Sequence, residues 1–219
     1  MIFENDNQAI LELIINILVL FLCFPIHEAA HAWTSNRLGD DTGRLMGRIS
    51  LNPFVHLDLW GSICMILFGF GWAKPVPVNI YRFKNHRLGF ALTAFAGPIS
   101  NILMALVAMI ILKLFLLFAI LSGNVTNLLI IETIFFYIVY LNLFLAIFNM
   151  IPLPPLDGSR VLGLFMSDRA YDKYLRTTEP YSMYCMFGVL ILARMQVFPI
   201  RSIVNWAVDG LDYITGFIA

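Results

Sequence analysis

Long stretches without charged side chains are the feature that most restricts what this chain can fold into. Residues 88–112, 133–156 and 114–131 contain no Asp, Glu, Lys or Arg over 25, 24 and 18 positions, and residues 59–73 contain none over 15 positions. A helix needs about 20 mostly apolar residues to cross the hydrocarbon core of a bilayer. The stretches therefore predict four or five membrane spans, and the shortest is too short for a full crossing.

The proportion of apolar residues supports a membrane location. Hydrophobic residues make up 60% and charged residues 13% of the 219 residues, and the mean hydropathy is +0.81. An ordinary soluble domain has about 25% charged residues, and a soluble chain this apolar would expose large adhesive patches. The formal net charge is zero and there is no basic block, which argues against a nucleic acid partner. We expect one integral membrane domain, residues 1–219, embedded in the lipid bilayer.

Helix-breaking residues divide the apolar stretches. Pro25 is predicted to kink a first helix that runs from Ile10 to about Leu38, because its ring clashes with the carbonyl four residues earlier. The dipeptide Gly97-Pro98 is expected to divide residues 88–121 into a short first piece and a helix that starts near the proline. A further helix over residues 128–150 ends in IPLPPLDG, whose prolines cannot continue it.

The sequence after residue 157 predicts three helical elements and one loop. A short helix over residues 158–166 is followed by a mixed-charge loop over residues 168–176 and a span over residues 180–199. The last segment has polar residues at helical spacing, Asn205, Asp209 and Asp212. This pattern suits either a helix that lies in the membrane interface or a final span whose polar stripe faces inward.

The stretch before the first long span predicts a re-entrant element and an extended segment. Residues 74–79, KPVPVN, alternate with period two, and Pro75 and Pro77 remove donors from the same edge, which predicts an edge strand. Residues 59–72 have basic loops on both sides. The positive-inside rule places the basic loops in the cytoplasm and the N-terminus outside. We therefore expect residues 59–72 to enter the membrane and return on the same side.

These elements together define the predicted fold class. It is an all-α polytopic membrane protein, a bundle of about five or six transmembrane or re-entrant helices with a short membrane-associated β segment.

The sequence FPIHEAAHAW places two histidines and a glutamate at the end of the first apolar run. On a helix, His27 and His31 lie on one face a turn apart, where both imidazoles can bind one metal ion. Glu28 lies beside them and can take a proton from water as a general base. Ionisable residues are costly in a membrane, which favours a functional site over a pair of hydrogen-bonded packing histidines.

A catalytic zinc ion needs a third protein ligand. Cys23 continues the stripe of His31 but lies about 12 Å from it along the helix axis, beyond the proline kink. His56, Asp58 and Asp157 remain as candidates. Asp157 is preferred because the proline-broken segment before it can turn its carboxylate inward at membrane depth. The alternative is that Asp157 caps the following helix or forms an Asp-Gly turn.

Three motifs in fixed order carry a family resemblance: HEAAH at residues 27–31, GPISN at residues 97–101 and NMIPLPPLDG at residues 149–158. They resemble the signatures of the site-2 protease family, which are intramembrane zinc metalloproteases, and the similarity covers roughly residues 20–164. The stretches SLNPFVHLDLWGS and FGWAKPVPVN resemble a compact bacterial branch of that family. No PDZ-like insertion follows the histidine motif.

The resemblance implies site residues and a cofactor. It implies His27, His31 and Asp157 as ligands of one Zn²⁺ per chain and Glu28 as the catalytic acid/base. It places the catalytic core at about residues 10–166 and further helices at residues 180–219. The implied partner is a transmembrane protein substrate, such as a membrane-tethered transcription regulator, an anti-sigma factor or a leftover signal peptide. The implied location is a multi-pass position in the bacterial inner membrane with the active site toward the cytoplasm.

Two further polar residues are candidates for substrate or transition-state binding. Asn149 lies eight residues before Asp157 and is expected either to hydrogen-bond the developing oxyanion or a substrate strand, or to join two helices. His56 is expected to support the metal site from outside its ligand shell, to bind the metal in the resting enzyme, or to face water in a loop. The extended stretches near residues 43–50 and 74–79 are the candidate platform for adding a substrate strand.

Two other functions compete with the protease. A non-proteolytic zinc-binding membrane protein or metal transporter would need the ligands but tolerate Glu28→Gln. A structural scaffold would tolerate the loss of both the ligands and Glu28.

Overall fold

The computed structural model describes residues 13–14, 17–68, 71–123, 128–194 and 200–216. The chain forms two compact units, Met1–Gly97 and Pro98–Ala219. Helices dominate the described residues, as predicted, and we number them in chain order: α1 (Phe24–Arg37), α2 (Thr42–Leu45), α3 (Leu59–Phe68), α4 (His86–Ser122), α5 (Leu128–Asn149), α6 (Asp157–Leu162), α7 (Asp168–Thr178), α8 (Ser182–Arg194) and α9 (Ile200–Thr215).

The helix irregularity predicted at Pro25 takes the form of a π-helical turn. Residues Val19–Cys23 form a π-helix, and α1 follows directly with Pro25 in its first turn. Proline has no N–H group to donate to the carbonyl four residues earlier, so the turn before it is free to widen. The first residues of the predicted helix, 10–12, lie outside the described residues.

Helix α3 is short and the chain segments on either side of it meet, while its re-entry into the membrane stays a prediction. The ten residues of α3 extend about 15 Å, about half the thickness of the hydrocarbon core. The chain leaves this region at Leu57 and returns at Ala73, and these two residues form an isolated antiparallel bridge. A Cβ on Gly61 would meet the carbonyl oxygen of Trp72 at 2.1 Å, so the returning chain packs directly on α3.

The predicted edge strand over residues 74–79 is not confirmed: the part of the chain that the structure describes contains no strand, only the isolated bridge. The reason is that side chains take the backbone donors that a strand would use. The amide of Val76 donates to Glu28, and the amide of Asn79 donates to Asp40. The companion stretch predicted as extended, residues 43–50, begins instead with the helical turn α2.

The predicted division of the long helix at Gly97-Pro98 is wrong. Helix α4 is continuous over 37 residues with Pro98 in its interior. Tertiary packing can outweigh the local cost of a proline because membrane helices tolerate it where neighbouring groups satisfy the freed carbonyl. By length and composition, α4 and α5 are the two helices in the described ranges that could cross a membrane, so the larger number of full spans stays a prediction.

The second unit has an apolar core formed by α4, α5 and α9. Its buried residues are Ala105, Ala108, Met109, Leu112, Val139, Leu143, Ile200, Val204 and Val208. Helix α9 therefore turns its apolar face inward, and the polar stripe of Asn205, Asp209 and Asp212 is exposed. Of the two predicted alternatives, the inward-facing polar stripe is therefore wrong, and a position in the membrane interface stays a prediction.

The region between α5 and α9 is more helical than predicted. Residues 168–176, expected as a loop, lie in α7, whose N-terminus Ser167 caps by accepting a hydrogen bond from the amide of Ala170. The short helix predicted over residues 158–166 is α6 plus a 3₁₀ turn. The span predicted over residues 180–199 begins as a 3₁₀ turn and α8, while residues 195–199 lie outside the described residues.

Candidate active site

The two histidines of the HEAAH motif converge as their spacing predicts. His27 and His31 are both buried on α1, and their Nε2 atoms lie 3.0 Å apart. The two rings stand nearly perpendicular, with an interplanar angle of 86°. Because i and i+4 residues share a helix face, this convergence follows from the local fold of α1 alone.

A backbone carbonyl fixes the tautomer of His31. The Nδ1 atom of His31 lies 2.7 Å from the carbonyl oxygen of Thr93 on α4. A carbonyl can only accept, so Nδ1 carries a proton and donates it, and Nε2 is the ring nitrogen that faces His27. Metal-binding histidines characteristically have such a partner on the second nitrogen.

Gly97 makes room for both imidazoles against α4. A Cβ at this position would lie 2.5 Å from Nε2 of His31 and 2.5 Å from Cε1 of His27. Real Cβ atoms do not approach other atoms this closely, so any larger residue here would displace the rings. The absence of a side chain at Gly97 lets the two rings pack directly against the helix.

Glu28 completes a compact group of ligand-type atoms. One such atom each from His27, Glu28 and His31 lies within 4.8 Å of the other two. The Oε2 atom of Glu28 accepts a hydrogen bond of 3.1 Å from the amide of Val76. One carboxylate oxygen is thus held by the backbone, which leaves Oε1 to receive a proton.

The arrangement fits a zinc ion. Two nitrogen ligands of a tetrahedral zinc ion at bond lengths of about 2.0–2.1 Å lie about 3.3–3.4 Å apart, within a few tenths of an ångström of the observed nitrogen separation. Buried imidazoles with an adjacent carboxylate are the donor types that zinc takes. Zinc bound there would supply Lewis acidity, polarising a peptide carbonyl and lowering the pKa of water.

Asp157, the predicted third ligand, lies in the second unit. It is the first residue of α6, is 6% exposed, and lies 3.7 Å from the guanidinium of Arg160 through Oδ1. Leu156 occupies the N-cap position, so Asp157 does not cap the helix. Its role as a ligand stays a prediction.

Close packing shapes the chain on either side of Asp157. A Cβ on Gly158 would lie 2.3 Å from the carbonyl oxygen of Met150, so the Asp-Gly pair packs against the end of α5. The hydroxyl of Tyr174 on α7 donates a 2.7 Å hydrogen bond to the carbonyl of Pro152. Burial raises the pKa of Tyr174, against a smaller lowering by its hydrogen bond with Thr178.

The two candidate substrate-binding residues have different surroundings. Asn149 donates through Nδ2 to the carbonyl of Leu145, one turn earlier in α5, which leaves its Oδ1 atom as an acceptor. His56 is fully buried, and its Nε2 atom donates to the carbonyl of Ser50 at 2.8 Å. The reading of His56 as a water-facing loop residue is therefore wrong. The site roles of both residues stay predictions.

Sequence reasoning missed three contributors to the geometry of this site. The Thr93 carbonyl and the Val76 amide are backbone groups, so the residue types at these positions do not predict their contacts. Gly97 was identified as a helix divider and as part of the GPISN motif, but not as the residue that makes room for the imidazoles. The available signal for Val76 was its position between Pro75 and Pro77, which makes its amide the only backbone donor of that tripeptide.

Known proteins match the chain over most of its length. Residues 113–193 match the family model described as peptidase family M50. A Bacillus subtilis (strain 168) protein named "Putative zinc metalloprotease YwhC" is 35% identical over 192 residues, which cover 87% of this chain and 83% of that protein. A Methanocaldococcus jannaschii protein named "Putative zinc metalloprotease MJ0611" is 30% identical over 161 residues, 74% of this chain and 75% of that protein. No solved structure matches the chain.

Proposed function

The chain belongs to peptidase family M50, the site-2 protease family, and from this premise we propose that it cuts peptide bonds within or near transmembrane segments of other proteins. It is an intramembrane zinc metalloprotease. The observation that carries the proposal is the pair of imidazoles converging at 3.0 Å beside the carboxylate of Glu28. The finer steps below, the endopeptidase specificity, the ligand set and the substrate class, are our inferences from the residues.

We assign one zinc ion per chain to His27, His31 and Asp157. The histidines support the assignment by their geometry, and Asp157 supports it as a buried carboxylate at the start of α6. Two imidazoles and one carboxylate are a known ligand set for catalytic zinc, and they leave one position open for water or substrate.

Glu28 acts as the proton carrier. Its Oε1 takes a proton from the attacking water and returns it to the leaving amine nitrogen, so the peptide bond is hydrolysed without an acyl-enzyme. The amide of Val76 holds the other carboxylate oxygen during both transfers. Asn149 is proposed to place its amide group at the substrate, and His56 to support the loop beside the site.

The substrate is proposed to be a transmembrane segment that unwinds locally. A peptide bond inside a helix is shielded by the helix hydrogen-bond ladder, so unwinding loses bonds in a medium with few replacements. Pairing with the extended residues 74–79 would replace some of these bonds. Lys74 and Val76 already use their amides within the protein, so this pairing would rely on Val78 and on the carbonyl of Val76.

The proposed orientation places the active site toward the cytoplasm in a bacterial inner membrane. The basic loops around residues 37–87 and 157–180 lie on that side by the positive-inside rule. The isolated bridge between Leu57 and Ala73 supports this arrangement, because it brings the chain before α3 close to the chain after it. Water can then reach the carboxylate of Glu28 from the cytoplasmic side.

The cleavage test compares wild type with Glu28→Gln. Purified protein is incubated with a panel of labelled single-span segments and signal peptides, and zinc is measured in the same samples. We expect wild type to cleave, and Glu28→Gln to lose at least about a thousandfold in rate while retaining zinc. Cleavage by Glu28→Gln at the wild-type rate would contradict the role of Glu28 as proton carrier, and wild type that retains zinc but cleaves nothing would favour the zinc-binding or transport function.

A further inference from the structure

The segment over residues 74–79 is fixed at its beginning by a buried arginine. Arg48 is 4% exposed, and its guanidinium donates to three backbone carbonyls. Nη1 lies 2.7 Å from the oxygen of Val55 and 3.2 Å from that of Lys74, and Nη2 lies 3.3 Å from that of Pro75. A guanidinium has donors in a rigid planar fork, so it can hold two successive carbonyls in one orientation.

The other end of the segment is fixed by a buried carboxylate. Asp40 is fully buried, and its Oδ2 accepts a 2.8 Å hydrogen bond from the amide of Asn79. Its Oδ1 accepts from the amide and the hydroxyl of Thr42. Asp40 thereby ties the segment to the start of α2.

The middle of the segment contacts the proposed catalytic base. Pro75 and Pro77 have no N–H group, so Val76 supplies the only amide between Lys74 and Val78, and it donates to Oε2 of Glu28. The side chain of Val76 is 7% exposed and packs on Gly43, where an added Cβ would lie 3.2 Å from Val76 Cγ1. The position of the Val76 amide therefore depends on the two anchored ends of the segment. The packed side chain leaves the amide little freedom to move.

We propose that Arg48 is a positioning residue for Glu28, acting through the backbone of residues 74–76. The inference rests on the proposed function, since it assigns Glu28 the proton-transfer role. Arg48 sets the orientation of the Lys74 and Pro75 carbonyls, and this orientation aims the Val76 amide at the carboxylate. Without Arg48, the Val76 amide could move and the Glu28 carboxylate would lose its fixed position. The histidine pair on α1 would stay in place.

The expected effect is on turnover and not on zinc or substrate binding. A displacement of about 1 Å in a catalytic group can cost about 100-fold in rate. We expect Arg48→Ala to lower kcat by about 10- to 100-fold, with KM within about twofold and zinc content equal to wild type. Arg48→Lys, which restores one donor group, should recover part of the loss.

Arg44 provides a matched control. It lies in the same region, is exposed, and contacts the side chains of Asn36 and Asp41. Arg44→Ala should cleave like wild type. Guanidinium ion added at millimolar concentration should raise the kcat of Arg48→Ala and leave Arg44→Ala unchanged, with sodium chloride at equal ionic strength as the salt control.

A second pair of variants tests the same step without altering Arg48. Val76→Pro removes the amide that contacts Glu28, whereas Val76→Ala keeps it and trims only the side chain. We expect Val76→Pro to lower kcat at unchanged zinc content, and to lower it by more than Val76→Ala, which keeps the amide. This pair decides the matter if Arg48→Ala does not fold.

The outcomes separate this inference from the proposed function. Wild-type cleavage that requires Glu28, together with full kcat in Val76→Pro or in folded Arg48→Ala, overturns the positioning role and leaves the protease intact. Parallel loss of zinc and kcat in both variants also overturns it, because the role is then structural. A wild-type protein that does not cleave any segment of the panel contradicts the proposed function itself.

Discussion

The imidazole of His31 is held at both ring nitrogens, by the Thr93 carbonyl at Nδ1 and by the neighbouring His27 at Nε2. This arrangement needs the empty space beside Gly97. The metal site is therefore as dependent on a glycine of α4 as on the histidines themselves.

Gly97→Ala should weaken zinc binding. The new Cβ would lie 2.5 Å from atoms of both rings, so at least one imidazole must move out of the converged geometry. We expect a loss of about 10- to 100-fold in zinc affinity, as for other changes to the support of a metal ligand. Competition with a chelator of known affinity measures it.

Gly188→Ala is the control for this substitution. Among the described residues, an added Cβ at Gly188 on α8 meets no atom within 4 Å outside the helix's own backbone, so the zinc affinity of Gly188→Ala should equal that of wild type. Equal affinities in Gly97→Ala and wild type would show that the rings do not bind zinc in the geometry described.

The residues that could be predicted from sequence are those whose arrangement is local. His27, Glu28 and His31 lie within five residues, and a helix alone brings them together. Thr93 is 62 residues from His31 in the sequence, and its contact is made by the backbone carbonyl, so the residue type at position 93 does not predict it. The burial of Arg48 was missed for the same reason: its partners are carbonyls.

At the scale of elements, an ion pair connects α4 to α9. The ammonium of Lys113 lies 2.7 Å from a carboxylate oxygen of Asp212. The Lys113 side chain is 15% exposed and that of Asp212 is 59% exposed. Lys113 interrupts two charge-free stretches of α4, so its charge is costly without a partner.

Removal of the two partners should have unequal effects on stability. Asp212→Asn leaves the nearly buried ammonium without its partner, whereas Lys113→Met leaves a carboxylate that solvent can reach. We expect Asp212→Asn to cost about 1 kcal/mol, or about 2–4 °C in the unfolding temperature, and Lys113→Met to cost less.

Thermal unfolding in detergent measures this difference, with the exposed Asp209→Asn on the same helix as a control that should not change it. The double variant should be more stable than the sum of the single effects predicts. Additive effects, or a larger loss in Lys113→Met, would contradict the pairing.

The presence of helices could be predicted because long apolar runs permit few other structures in a membrane. The residues at which the helices begin and end could not. The Gly97-Pro98 division failed because a proline cost can be offset by neighbouring groups that sequence does not show. Helix α7 was missed because the charges of residues 168–176 were given more weight than the capping Ser167. The edge strand was not found because side chains bind the amides of Val76 and Asn79.

At the scale of the whole molecule, the arrangement in the membrane is the main remaining prediction. Single cysteines at Asn52, Asn85, Asp172 and Ser122 can report it, in a chain whose three native cysteines are replaced and which still cleaves. The first three should react with a membrane-impermeant reagent from the cytoplasmic side. Ser122, at the end of α4, should react from the opposite side.

This labelling also tests whether α3 is re-entrant, because Asn52 and Asn85 lie on either side of it. Labelling of these two positions from opposite sides would make α3 a full crossing. Labelling of Asn85 and Ser122 from the same side would contradict a spanning α4. The hydrophobic pattern could predict which helices are apolar, while their orientation rests on the distribution of Lys and Arg alone.

X-ray absorption at the zinc edge, on purified Glu28→Gln protein, tests most directly whether a histidine-bound zinc ion is the centre of this molecule. We predict about one zinc ion per chain with the scattering of two imidazoles and of oxygen ligands at about 2.0–2.2 Å, and loss of the imidazole signal when both His27 and His31 are replaced by alanine. Zinc that binds without imidazole scattering, or whose spectrum is unchanged in the double histidine variant, would contradict the account.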